Sequence, residues 1–108
     1  MVVTVAHNAN VFAAIADPTR RQILDRLGGG DLTVSELARP FDISQPAVSQ
    51  HLRILRQAGL VSPRREGRFR RYRLHAEALK DVYDWVAHYK RFWIKNLTSL
   101  GDYLDKQK

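Results

Sequence analysis

The chain has 108 residues, 44% of them hydrophobic, and a formal net charge of +7. That describes one domain with enough apolar content for a core, and a cation surplus that points to a polyanion, nucleic acid first and an anionic membrane surface second. The chain has no cysteine, which excludes disulfides, thiolate metal sites and thiol redox switches.

The first apolar cluster, Val11, Phe12, Ile15 and Ala16, has the one-sided spacing of a helix. The residues ahead of it lack the basic start and long apolar stretch of a signal peptide. No apolar run approaches the ~18 residues of a membrane span. The expectation is a soluble, cytoplasmic protein without a membrane partner. Asp17-Pro18 then restarts the chain as an N-cap followed by a proline at the first helical position. A second helix follows through Ile23, Leu24 and Leu27, and Gly28-Gly29-Gly30 ends it. The triple glycine lacks the Lys-Ser/Thr ending of a phosphate loop and has no strand before it, so it reads as a helix stop.

Thr33 and Glu36 have capping-box spacing and open a third helix, with Val34, Leu37 and Ala38 inward; Pro40 ends or distorts it. Ser44 caps a fourth helix that tolerates Pro46 in its first turn. Val48, Leu52 and Leu55 form its inner stripe, and Gly59 stops it. The outer face carries Gln45, Ser49, Gln50, Arg53 and Arg56, and residues 44–58 hold no acidic side chain. Small polar and amide groups at a helix start suit base edges in a major groove. The same helix start favours phosphate.

From Leu60 to Leu74 the pattern becomes extended. Two runs, Leu60 to Arg65 and Phe69 to Leu74, flank Glu66-Gly67-Arg68, a three-residue hairpin connection containing glycine. Pro63 makes the first run an edge strand or an irregular one. Arg64, Arg65, Arg68, Arg70, Arg71 and Arg73 crowd this hairpin, against Glu66 alone. Strand residues alternate faces, so Arg68 at the tip and one alternate set beside it, Arg70 included, are the candidates to meet DNA, while Tyr72 and Leu74 pack inward. A last helix is expected from about Glu77 to about Leu104, roughly 40 Å at full length. Its stripe of Leu79, Val82, Val86, Trp93, Leu97, Leu100 and Leu104, widened by Tyr83, Tyr89 and Phe92, exceeds what one small domain can cover. The whole is mostly α with a β-hairpin wing: a winged helix-turn-helix with a long C-terminal dimerisation helix. Its single domain spans 1–108, with the helix-turn-helix about 33–58, the wing about 60–74 and the dimerisation helix about 77–104.

Three segments resemble the ArsR family of bacterial and archaeal winged-helix repressors. They are Phe12 to Leu27 (FAAIADPTRRQILDRL), Thr33 to Leu60 (TVSELARPFDISQPAVSQHLRILRQAGL) and Val61 to Leu74 (VSPRREGRFRRYRL). The A-D-P-T-R run, the S-Q-P-A-V-S-Q-H-L helix start and the E-G-R wing turn carry the resemblance jointly. It implies a homodimer, paired through the first and last helices, that binds a short inverted repeat of double-stranded DNA in a promoter and represses until a signal relieves it. Carried onto matching positions, it implies DNA contacts from Ser44, Gln45, Ser49, Gln50 and Arg53, from Arg68 on the wing, and from Arg20 toward phosphate. Pairing through the first and last helices would bury Phe12, Leu79, Val82, Val86, Tyr89, Trp93, Leu97 and Leu100.

One departure matters. Metal-sensing members of the family bind metal through cysteines in the third helix, a segment that here reads Glu36-Leu37-Ala38-Arg39-Pro40. A second family site uses Asp, His and Glu on the last helix, where this chain offers only Asp81, Asp84 and His88 at i, i+3 and i+7, without the further downstream histidine. The chain looks like the metal-independent branch: no metal, no cofactor, and an effector that its residues do not name. Trp85, Tyr89, Phe92 and Trp93 read as dimer core, with an effector pocket as the alternative. No nucleophile elbow or ligand cluster supports an enzyme, since His7, His51, His75 and His88 are scattered. A winged helix that docks an acidic protein partner is the rival reading. RNA binding, with Phe69 stacking, is a third.

Overall fold

The computed structural model describes residues 10–96 and 101. The chain enters as a helix, α1 (10–15), whose Val11 and Ala14 are buried. Asp17 caps α2 (Pro18–Leu27) by accepting the Arg20 amide at 3.0 Å on Oδ2, with Pro18 in the first turn. That bond, rather than any charge, is the main cause holding the Asp17 carboxyl below its ordinary value. At the far end Gly30 takes φ 140, open to glycine without strain.

A two-residue strand, β1 (Leu32–Thr33), leads into α3 (Val34–Ala38). The capping box closes as the Thr33–Glu36 spacing predicts. The Glu36 amide donates to Thr33 Oγ1 at 3.1 Å, and the Thr33 amide donates to Glu36 Oε1 at 2.9 Å. Helix α4 (Gln45–Gln57) is capped by Ser44 Oγ, which accepts from the Ala47 amide at 3.2 Å. Its end is a Schellman turn. Gly59 takes φ 78, its amide donates to the Arg56 carbonyl at 3.0 Å, and the Leu60 amide reaches back to the Leu55 carbonyl at 3.0 Å. Leu55 and Leu60, both fully buried, form the apolar contact that accompanies this motif.

The hairpin follows as β2 (Val61–Glu66) and β3 (Phe69–Leu74). Glu66 pairs with Phe69, so the connection is the two residues Gly67-Arg68 and not the three expected. Positive φ occurs at Gly67 (61°) and not at Arg68, the sign pattern of a type II′ turn, whose twist matches the strands it joins. The sheet order is β1-β3-β2, so Pro63 lies on an edge strand, where its missing N–H is tolerated. Strand β1 was not foreseen; it pairs Leu32 with Tyr72 and Thr33 with Arg71. The core gathers Ile23, Leu37, Val48, Leu52 and Leu55 from the helices, Leu60 from the turn after α4, and Tyr72 from the wing.

The single long last helix is corrected. A 3₁₀ turn (Ala76–Leu79) precedes α5 (Lys80–Ala87), a turn occupies 88–89, and helix resumes over 90–96. The interruption falls at His88, whose Nδ1 lies 2.9 Å from the Asp84 carbonyl, the acceptor that the His88 amide would use in a continuous helix. The His88 and Tyr89 amides turn instead to Trp85 and Val86, three residues back. Leu97, Leu100 and Leu104 lie outside the described residues.

Candidate nucleic-acid interface

Helix α4 is exposed on the face opposite Val48, Leu52 and Leu55. Ser44, Gln45, Ser49, Gln50, Arg53 and Arg56 all lie there, open to solvent. The helix start itself offers little to an anion. Ser44 already takes the Ala47 amide, and Pro46 has no N–H, which leaves the Gln45 amide as the free donor of the first turn. What this helix presents is its side chains.

The wing arginines divide into two groups by strand alternation. Arg71 and Arg73 turn to one face and are held there. Arg71 donates from Nη1 to Glu36 Oε1 at 3.3 Å and lies 3.1 Å through Nε from Glu66 Oε2; Arg73 Nε reaches Asp31 Oδ2 at 3.3 Å. Arg64, paired across the strands with Arg71, sits 4.0 Å from Glu66. The Glu36 carboxyl that receives Arg71 is the one closing the α3 cap. Its acidity is raised first by the Thr33 amide, then by the Thr33 hydroxyl and then by Arg71, which together keep it below the ordinary carboxylate range. Arg65 and Arg70 turn to the other face with Tyr72, and Arg68 sits at the tip. Among the described residues these three have no ion-pair partner.

Arg70 therefore points toward α4. With Tyr72 it forms one wall of a groove of about 470 Å³, whose other wall is Ser49, Arg53 and Arg56 and whose base includes Val34 of α3. Ser49, Arg53 and Arg56 follow one another at i, i+4 and i+7, a single helical stripe. Three guanidiniums that have no ion-pair partner among the described residues thus converge across a cleft between a helix and a hairpin. Planar forks so arranged fit phosphate oxygens. Sequence reading placed Arg56 on this outer face but left it out of the contact set; the groove brings it in, together with Val34 and Tyr72. Ser44, Gln45 and Gln50 lie beyond the groove, toward the start of α4.

Arg20 is turned inward. Its Nε donates to the Ala14 carbonyl at 2.6 Å, Nη2 to the Ala13 carbonyl at 3.2 Å, and Nη1 lies 3.4 Å from His51 Nδ1. It closes the end of α1 and ties it to α4, which accounts for its position without DNA.

A second exposed face lies on the last helices. Phe12 of α1 meets Trp85 edge-on at 5.7 Å, Trp85 meets Tyr89 at 5.6 Å, and Tyr89 meets Phe92 at 6.3 Å. Val86, Trp93 and Ile94 are also exposed. Leu79 and Val82, expected at a partner, are partly buried against the chain's own core. Asp81, Asp84 and His88 do not converge. Asp84 Oδ2 accepts from Lys80 Nζ at 2.8 Å, His88 Nδ1 is on a carbonyl, and among the described residues no cluster of three metal-binding side chains occurs.

A turn-linked helix pair with a hairpin set beside its second helix is the build of a winged helix-turn-helix, a class of DNA-binding transcription regulator. The comparisons narrow this. The family model described as bacterial regulatory protein, arsR family, matches residues 17–62, and the chain belongs to that family. It is 49% identical over 80 residues to the transcriptional repressor SdpR of Bacillus subtilis, covering 74% of this chain and 89% of SdpR. It is 43% identical over 96 residues to the HTH-type transcriptional regulator Rv2034 of Mycobacterium tuberculosis, covering 89% and 87%. Among solved structures, the ArsR family transcriptional regulator RHA00566 superposes with a TM-score of 0.72 at 38% identity, over 82% of this chain and 91% of that one. The homodimeric winged helix-turn-helix domain Mb0332 of Mycobacterium bovis gives 0.69 at 30%, over 84% and 86%. Among the described residues no helix is long and apolar enough to cross a membrane.

Proposed function

We propose that the chain is a homodimeric repressor that binds an inverted repeat in promoter DNA. Gln45, Ser49 and Gln50 read base edges in the major groove, with Ser44 at the helix start. Arg53, Arg56 and Arg70 grip the backbone ridge beside that groove, and Arg68 reaches past it from the wing tip. Arg20 is left out because its guanidinium is committed within the chain. The observation that carries the reading is the convergence, between recognition helix and wing, of three guanidiniums that have no ion-pair partner among the described residues. Repression is the activity named for SdpR, and dimerisation that named for Mb0332. The exposed aromatic row running from Phe12 to Phe92 supports the second copy, since a face of that kind needs cover. The activity is binding rather than catalysis, it takes place in the cytoplasm, and the lack of cysteine removes thiolate metal sensing.

Fluorescence anisotropy on duplexes tiled from the DNA upstream of the chain's own coding sequence tests this. Specific binding survives a ~10–100-fold excess of scrambled duplex. Equal competition by scrambled DNA would end the regulator reading, and capture of an acidic protein without duplex binding would favour the docking alternative.

A further inference from the structure

Phe69 stands at the wing tip, directly after Gly67-Arg68, with 64% of its surface exposed. No aromatic ring and no guanidinium covers it among the described residues. Its cross-strand neighbour is Glu66, and the cations Arg68 and Arg70 flank it in sequence. A phenylalanine so exposed stabilises nothing in the folded chain, since water reaches most of its ring. The arginines around it are a poor setting for a protein partner's apolar core but a good one for a polyanion.

Its placement follows from alternation. Arg70 faces the α4 groove, so Phe69, one residue earlier, points to the other face at the very end of the hairpin. If α4 occupies a major groove, the ridge gripped by Arg53, Arg56 and Arg70 is the phosphate backbone bounding it. What lies across that ridge, under the wing tip, is the adjacent minor groove. We propose that Phe69 is an apolar wedge that enters this minor groove and partly opens a base-pair step there. Apolar side chains inserted in this way unstack a step and bend the duplex, and flexible pyrimidine–purine steps yield most easily. Phe69 would then select deformable sequence outside the base pairs that α4 touches.

This inference rests on the DNA-binding reading above, and the experiment separates the two. The probes are the upstream duplexes carrying 2-aminopurine at successive adenines, whose fluorescence rises when the base loses its stacking. Wild-type protein is expected to bind and to raise the signal at a step on the far side of the backbone ridge. Phe69→Ala should bind about tenfold more weakly, the order of one lost aromatic–base contact, and should abolish the rise. Phe69→Trp should restore both. Because the ring is uncharged, wild type and Phe69→Ala should share one slope of log affinity against log salt, whereas Arg68→Ala should flatten it by about one phosphate contact per site. Phe69→Leu covers the case in which alanine loosens the hairpin, and should retain part of the affinity. If wild type binds while Phe69→Ala matches it in affinity and fluorescence, the wedge is wrong and the regulator reading stands. A Phe69→Ala slope as flat as that of Arg68→Ala would also sink the wedge. If wild type prefers no duplex over scrambled DNA, both readings fall together.

Discussion

Arg70 and Arg71 are neighbours on one strand and should fail in opposite ways. Arg70 faces the groove without an ion-pair partner among the described residues, whereas Arg71 is held by Glu36 and Glu66. On the proposed reading, replacing Arg70 by alanine removes a cation from the phosphate, and a homodimer would carry the loss twice. Each phosphate contact contributes about 0.9 to the slope of log affinity against log salt, so the slope should become shallower by about 1.8. Over a roughly fourfold rise in salt the wild-type advantage should then shrink by about twelvefold. Arg71→Ala removes two ion pairs whose side chains keep 34% to 59% of their surface. Pairs that exposed contribute little to global stability, so the unfolding midpoint should stay close to wild type. The wing loses its tether, and affinity should drop by a similar factor at every salt concentration. Anisotropy titrations of the three proteins across a salt series decide the matter. A flattened slope in Arg71→Ala, or an unchanged one in Arg70→Ala, would refute the division of the wing arginines.

Ser44→Ala removes the α4 cap and should lower stability by about 1 kcal/mol, read from the urea midpoint. Its effect on DNA affinity should be small if Ser44 serves mainly as a cap. Asp17 and Glu36 both titrate below their ordinary values in the folded chain, so each contributes stability that is present above its ordinary value, 3.8 or 4.5, and is lost as pH falls through the folded value. The urea midpoint should fall on acidification through this range, and the fall should be smaller in Asp17→Asn and Glu36→Gln. A pH-independent wild-type midpoint there would contradict the sign. Val86→Asp and Trp93→Asp each put a charge into the exposed aromatic face and should yield monomers in sedimentation; a variant that still sediments as a dimer moves the interface elsewhere.

The legible parts of this fold are those fixed by neighbours in sequence. Asp17-Pro18, Thr33 with Glu36, and Ser44 announce three helix starts because each cap closes within three residues. Gly59 announces the end of α4 for the same reason. Strand β1 stayed hidden because two residues have no period, and its identity rests on pairing with Tyr72 and Arg71 some forty positions away. The wing arginines could be counted but not sorted, since Asp31 and Glu36 come to Arg73 and Arg71 only in the folded chain. Arg20 was expected toward phosphate; its acceptors are the carbonyls of Ala13 and Ala14, groups that sequence patterns do not register. The break at His88 escaped because the apolar stripe continues across it, while one ring nitrogen lies at one backbone carbonyl.

The third strand reaches only as far up the wing as Thr33 opposite Arg71. Below that level the hairpin is built into the body of the domain; above it, residues 65–70 pair along the sheet only with one another. The boundary separates inheritance from innovation. On the proposed reading, substitutions at the root are screened by folding, while those at the tip, Glu66 with its bond to Arg71 apart, are screened by DNA. A lineage could therefore exchange the tip, and with it the sequences the wing tolerates, while the rest of the protein stays as it is.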